Sequence, residues 1–280
     1  MGKKINPNEI KALALDLDGT TLLPDTTMGE RTVRVLKKLI SGGKQVFFTT
    51  GRAIEGAQRY CTAIGISGPM VFFNGAEIAD IPSGKVLEAD FLDLDVAGFG
   101  IDLARSMGVH FQIYLPETEG KPETLYIDKQ SPESEMYRKH TGITPVAQDL
   151  KTVIAARGLK GIIKAMYVID PSYIEDIRQK LTDRFGGRIN VIRSYPTFLE
   201  ILKAGVSKGK GLQTVMRLRG LRAQEVMAFG DEDNDLPMFS VAGFSAAPSN
   251  ARDKVLEAAD IVFGSNAEEG LAAYLEDNFL

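Results

Sequence analysis

The sequence predicts an α/β protein, a doubly wound parallel-sheet core into which an α+β domain is inserted. Three observations carry this expectation. Short apolar runs alternate with amphipathic helical patterns over roughly the first 80 residues, the rhythm of a parallel sheet covered on both faces. The same rhythm returns near the C-terminus. The stretch between has another texture, with strand-like runs, helical patterns and frequent turn signals intermixed.

In chain order, residues 11–17 (KALALDL) read as the first strand. Thr27-Met28-Gly29-Glu30 fits a capping box, followed at helical spacing by Val33, Leu36, Leu39 and Ile40. Gly42 and Gly43 supply the stop. Residues 45–50 (QVFFTT) form a second strand, 54–64 a second helix and 70–73 (MVFF) a third strand. Near the C-terminus the spacing predicts helices over 207–218, 250–259 and 268–280, with strands over 226–230 and 243–247.

Between these blocks lie the strand-like runs HFQIYL, ETLYID, IIKAMYVI and FLEIL, and helical patterns over 96–106 and 172–184. Pro82-Ser83-Gly84, Pro116, Pro122 and Gly186-Gly187 punctuate them. The expected organisation is a core of residues 1–82 and 205–280, interrupted by an inserted domain over 83–204. No internal repeat or low-complexity segment interrupts it.

The chain has 280 residues, 44% hydrophobic and 25% charged, an ordinary balance for a globular protein with a sizeable core. A net charge of −4 offers no global attraction to nucleic acid or anionic lipid. A site for an anionic substrate must build its positive potential locally. The single cysteine, Cys61, excludes an internal disulfide and a Cys-rich zinc site. His110 and His140, the two histidines, leave no HExxH arrangement. The N-terminal run, with Lys3 and Lys4, is broken by Asp16 and Asp18 and does not read as a signal peptide. No stretch reaches the ~20 apolar residues that span a bilayer. The expectation is a soluble, cytoplasmic protein with neither nucleic acid nor membrane as partner.

Four polar clusters follow predicted core elements, where open α/β sheets place their ligands. In Asp16-Leu17-Asp18-Gly19-Thr20 a buried strand runs straight into two carboxylates at i, i+2, on one side of the extended chain. They repel unless a cation lies between them, and a hard ion such as Mg²⁺ suits carboxylate oxygens. Asp16 is then a candidate nucleophile and Asp18 a candidate general acid and base. The residues alone leave open a solvated turn that closes a strand. In Thr49-Thr50-Gly51-Arg52 a hydroxyl and backbone N–H groups can hold phosphoryl oxygens, or Thr50 can simply cap the next helix. In Ser207-Lys208-Gly209-Lys210-Gly211 lysines stand at a helix N-terminus against the macrodipole, which an anion nearby would rationalise; two solvated lysines are the plainer reading. Gly230-Asp231-Glu232-Asp233-Asn234-Asp235 suggests metal binding but not an EF-hand, since Leu236 and Ala242 occupy the positions that need Gly and Glu. The glycine spacing before Lys210 excludes a P-loop, and no GxGxxG fingerprint is present.

In this order the four motifs resemble those of the haloacid dehalogenase-like hydrolase superfamily, specifically its Cof-type phosphatases. The matches are Asp16–Thr20 to DxDGT, Thr50–Arg52 to TGR, Ser207–Gly209 to S-K-G and Gly230–Asp235 to GDxxND. Phe73-Asn74-Gly75-Ala76 and Ser249-Asn250-Ala251 resemble two further elements of the family. The resemblance implies a Rossmann-like core with an inserted α+β cap domain that covers the site and selects the leaving group. It implies a Mg²⁺-dependent phosphatase of small phosphate monoesters, sugar phosphates above all, acting through an aspartyl phosphate as a monomer or homodimer.

Carried over by position, Asp16 is nucleophile and metal ligand, and Asp18 is acid/base with its backbone carbonyl on Mg²⁺. Thr50 binds the phosphoryl group and Lys208 stabilises its charge. Asp231 is the third ligand, with Asp235 close behind. Gly51 lies at the substrate, and Arg52 and Asn234 lie near the phosphate or the cap interface, with Asn74 and Asn250 in the same neighbourhood. Three departures stand out: Thr21 for the usual leucine of DGTL, Glu232 and Asp233 for small residues, and Ser249 for glycine. In the insert, Lys164, Arg193 and Ser194 either reach substrate or lie on a solvated strand face.

A sugar phosphomutase of the same fold would depend on a bisphosphate, and a dehalogenase would have no use for Asp18 or the acidic cluster. A non-catalytic Mg²⁺ and phosphate sensor would bind without turnover.

Overall fold

The computed structural model describes residues 6–117 and 123–280. The turn signal at Pro122 and the lysines at positions 3 and 4 lie outside the described residues. Contacts divide the chain into two compact units, Met1–Glu88 with Ser207–Leu280, and Ala89–Val206.

The first unit opens with β1 (Ala12–Leu15), every residue of which is buried. There follow α1 (Glu30–Ser41), β2 (Gln45–Phe48), α2 (Ile54–Ile64), β3 (Gly68–Phe72), β4 (Glu77–Ile81) and β5 (Lys85–Ala89). The α1 stripe of Val35, Leu36 and Leu39 is buried at helical spacing. Its start differs from the expected capping box. Gly29 is the N-cap and makes no side-chain cap bond. The Thr27 N–H and hydroxyl both donate to Asp25 Oδ1, so that side chain is spent in a local turn. Glu269, distant in sequence, takes the Thr32 N–H at 2.9 Å instead.

The inserted unit holds α3 (Leu94–Met107), β6 (His110–Leu115), β7 (Thr124–Ile127), α4 (Pro132–Thr141), β8 (Val146–Ala147) and α5 (Leu150–Arg157). It closes with β9 (Lys164–Val168), α6 (Ile174–Phe185), β10 (Ile189–Tyr195) and β11 (Phe198–Lys203). The sheet runs β10-β11-β9-β6-β7-β8, antiparallel throughout except for the parallel β7–β8 pair. Strand alternation sorts its residues. Phe111, Ile113, Ala165, Tyr167, Leu199 and Ile201 pack against Val96, Ile101, Ile177 and Leu181 of α3 and α6. On the opposite face Lys164 is buried and paired with Glu200 at 3.2 Å, which overturns the solvated reading of that lysine. Ser194 also donates to Glu200, and Arg193 to the Pro196 carbonyl.

The chain re-enters the first unit through α7 (Lys208–Arg219), β12 (Val226–Phe229), α8 (Leu236–Val241), β13 (Phe244–Pro248), α9 (Asp253–Ala258), β14 (Ile261–Phe263) and α10 (Gly270–Phe279). The main sheet is parallel, in the order β14-β13-β12-β1-β2. A parallel bridge from Thr49 to Val71 continues it towards β3, which pairs antiparallel with β4. The residues expected as a third parallel strand thus belong to a small sheet β3-β4-β5. From β1 the chain winds outward to β2, and from β12 it winds the other way to β13 and β14. Right-handed crossovers in opposite directions put α1 and α8 on opposite faces. Between β1 and β12 the winding reverses, and a crevice opens there at the carboxyl ends of the strands. No helix among the described residues is long and apolar enough to cross a membrane.

Candidate active site

Both strands at the reversal end in aspartates. The Asp16 N–H donates to Phe229 O at 3.0 Å, so the β1–β12 ladder runs to the edge of the crevice and delivers Asp16 there. After β12, Gly230 leads into Asp231. A Cβ at Gly230 would overlap the Asp235 side chain, so only glycine lets that carboxylate close over the strand end. Asp235 Oδ2 accepts from the Asp231 and Glu232 N–H groups at 2.9 and 3.0 Å, which folds the acidic loop into a tight turn.

Lys208, the first residue of α7, is drawn in from the other side. Its Nζ donates to Asp16 Oδ1 at 2.7 Å and to Asp235 Oδ1 at 2.6 Å, with all three side chains buried. That resolves the anomaly of a lysine at a helix N-terminus. Its charge points away from the helix, into two carboxylates. The loop 73–75 fixes this approach, because Gly75, at φ +98°, lies so close to the Ser207 carbonyl that a Cβ would overlap it. Lys210, by contrast, is exposed.

Asp16, Asp231 and Asp235 each offer an oxygen within 4.8 Å of the others, a buried group able to hold a metal ion. Thr20 Oγ1 donates to Asp231 Oδ1 at 2.6 Å. Asp16 and Asp231 therefore each have one oxygen held by the protein and present the other. Three carboxylates against one ammonium leave an excess of two negative charges, which a divalent cation would balance. An all-oxygen donor set suits Mg²⁺. Without a cation, the strain shows in the acidities. Burial pushes the Asp16 carboxyl up to about 8, with Lys208 opposing and Asp235 and Asp18 adding to the rise. Burial, then Asp16 and Asp235, raises Asp231 well above the usual carboxylate range. Burial alone would lower the Lys208 ammonium, but Asp16 and Asp235 outweigh it and raise it.

Asp18 is absent from this group. Its carboxylate turns to Arg52, which donates from Nε at 2.7 Å and Nη2 at 2.6 Å. Only its backbone carbonyl stays a candidate for the ion. Thr50 is wholly buried; its Oγ1 accepts the Arg52 N–H at 3.1 Å, and the N-cap of α2 is Ala53, so Thr50 does not cap that helix. Gly51 lies against the Asn74 amide, and Asn234 Nδ2 donates to Asn74 Oδ1 at 2.9 Å. The four loops therefore meet in one neighbourhood of the first unit. Glu232 is directed to Arg252 and Asp233 is exposed.

Two contributions escaped the sequence reading. Thr21, which stands where the family pattern has leucine, donates its hydroxyl to the Asp16 carbonyl at 2.5 Å and so ties down the backbone of the strand end. Asn250 donates to the Gly19 carbonyl at 2.9 Å and accepts from the Asn266 N–H, a brace for the loop. Gly19 itself has φ +77°, and a Cβ there would overlap the Asp231 carboxylate. Gly19→Ala combines left-handed strain with displacement of Asp231, and misplacement by an ångström costs about 10²-fold in rate. Steady-state assays should show a loss of that order, and the melting temperature should fall by a few degrees, since the left-handed strain costs about 1–2 kcal/mol.

The family model for haloacid dehalogenase-like hydrolases matches residues 13–275. The 5-amino-6-(5-phospho-D-ribitylamino)uracil phosphatase of Bacillus subtilis is 31% identical over 275 residues, covering 95% of this chain and 97% of that protein. The pyridoxal phosphate phosphatase of Escherichia coli is 26% identical, covering 96% of this chain and 99% of that protein. Among solved structures, a haloacid dehalogenase-like hydrolase from Bacteroides thetaiotaomicron superposes with a TM-score of 0.85 at 26% identity, covering 96% of this chain and 99% of that one.

Proposed function

The chain belongs to the haloacid dehalogenase-like hydrolase family, and on that footing we propose a Mg²⁺-dependent phosphatase of small phosphate monoesters, sugar phosphates foremost, working through an aspartyl phosphate on Asp16. One observation carries this reading. Lys208 bridges Asp16 and Asp235 while Asp231 stands within metal-sharing distance of both, although these residues come from three separate parts of the chain.

The chemistry is charge management. A carboxylate attacking a phosphate dianion must overcome repulsion, and Lys208 is already seated on Asp16 to reduce it. Mg²⁺ held by Asp16, Asp231 and Asp235, with the Asp18 carbonyl as a further ligand, would neutralise the remaining charge and orient the phosphoryl oxygens. One Asp16 oxygen attacks phosphorus in line as the ester P–O bond breaks, and Asp18, protonated and with one oxygen released from Arg52, gives the departing alkoxide that proton. Water then attacks the same phosphorus, Asp18 takes its proton, and phosphate leaves Asp16 as it began. Thr50 and Gly51 are assigned to the phosphoryl oxygens, with Asn74 and Asn234 beside them. None of these residues comes from the inserted unit. We therefore assign choice among esters to Ala89–Val206.

A panel of phosphorylated metabolites assayed for released phosphate tests the reading. Turnover should be lost with EDTA and restored by excess Mg²⁺. Undiminished release in EDTA would contradict the metal assignment, and dependence on an added bisphosphate would point to a mutase.

A further inference from the structure

Arg52 sits in the segment read as phosphate-binding, yet its geometry is directed elsewhere. The guanidinium is buried, and its forked edge, Nε and Nη2, is committed to the two oxygens of Asp18. This is the bidentate arrangement that fixes a carboxylate in plane and in rotamer. The other side of the guanidinium is held by α2. Nη1 donates to the Gly56 carbonyl at 3.4 Å, and the guanidinium carbon lies 5.5 Å from the centroid of the Tyr60 ring. Tyr60 is anchored in turn through its hydroxyl to the Thr26 carbonyl at 2.5 Å. The Arg52 backbone is pinned too, its N–H on Thr50 Oγ1 and its carbonyl accepting from the Phe73 N–H at 3.1 Å. A side chain held on so many sides is placed to hold another. Asp18 needs such help, because its carboxylate is part-exposed and stands in an irregular turn before Gly19.

We propose that Arg52 is a positioning residue for the acid/base Asp18 and not a ligand of the transferring phosphoryl group. The inference rests on the phosphatase reading above. It predicts which step suffers when the fork is removed. The quotient kcat/KM reports events up to departure of the alcohol, whereas hydrolysis of the intermediate is common to all substrates. An alkoxide leaving group needs the Asp18 proton, while 4-nitrophenolate leaves without one.

Benzyl phosphate and 4-nitrophenyl phosphate, similar in size, are the probes. Arg52→Ala should lower kcat/KM for benzyl phosphate by about 10²-fold or more, the usual worth of a general acid, and for 4-nitrophenyl phosphate at least about tenfold less. Asp18→Asn should show the same bias, and the double variant should be no slower than Asp18→Asn alone. Arg52→Lys, which keeps the charge but loses the fork, should share the bias and guards against a folding defect in the alanine variant. Equal losses on both substrates with a raised KM, or additive losses in the double variant, would overturn the proposal in favour of phosphoryl binding or a merely structural role. Absence of hydrolysis of either probe by the unaltered enzyme with Mg²⁺, or full activity of Asp16→Asn, would instead sink the phosphatase reading on which it stands.

Discussion

Asp16→Asn is expected to lower turnover of an aryl phosphate by about 10⁴-fold or more, as losses of other catalytic nucleophiles do, while the protein stays folded. The substitution keeps the shape of the side chain and removes one negative charge from a buried group that carries three carboxylates on one ammonium. Because burial already pushes the Asp16 carboxyl up to about 8, a neutral amide suits the metal-free site at least as well as the native residue. Thermal unfolding of the variant in EDTA should therefore occur no earlier than that of the native protein. Activity and stability separate here, and that separation marks a residue retained for chemistry. Substantial turnover by Asp16→Asn, with circular dichroism unchanged, would remove the nucleophile from the account.

Lys208→Met should have the second largest effect, and of the opposite kind. It removes the ammonium that donates to both Asp16 and Asp235, leaving these two and Asp231, three buried carboxylates, to repel one another. Breaking a buried pair by deleting one partner costs about 3–5 kcal/mol. Part of this returns when the carboxylates take up protons, so about 3 kcal/mol is expected near neutral pH. Activity should fall by about 10³-fold, in line with the loss of a preorganised electrostatic partner. Added Mg²⁺ should recover more of the stability than of the rate, since a cation can replace the missing charge but not its position on Asp16. Denaturant titrations with and without Mg²⁺, beside the rates, check both. Rates within tenfold of native would contradict the role given to Lys208.

The alternation of apolar runs and helices made the doubly wound core legible, because strands buried on both faces carry their period in sequence. α2 falls on the expected 54–64, and α3 and α6 lie within two residues of the patterns that suggested them. The short edge elements were not legible. β8 has two residues and β14 only three, too few for a period to register. β10 is part-exposed throughout and α4 is polar over most of its length, so neither presents a contrast of faces. The capping box failed for a physical reason. Thr27 has an acceptor two residues away, and the helix it should have capped is served by Glu269, which no local window contains.

The site follows the same division. Carboxylates after β1 and β12 could be picked out because buried strands seldom run into charge. The bonds that shape them were hidden. Thr20 reaches Asp231 across 211 positions, and Asn250 reaches the Gly19 carbonyl across 231. Arg52 was readable as a residue of the phosphate loop but not as the partner of Asp18, since that depends on how two strand ends come side by side.

Peptide mass spectrometry after rapid acid quench tests the central claim most directly. During turnover of 4-nitrophenyl phosphate with Mg²⁺, borohydride reduction of the quenched enzyme should convert residue 16 to homoserine, the mark of an acyl phosphate, and leave Asp18, Asp231 and Asp235 unmodified. The Asp18→Asn variant, slowed in releasing phosphate, should carry more of this mark. Homoserine at another position, or none in either protein while phosphate is being released, would contradict the account.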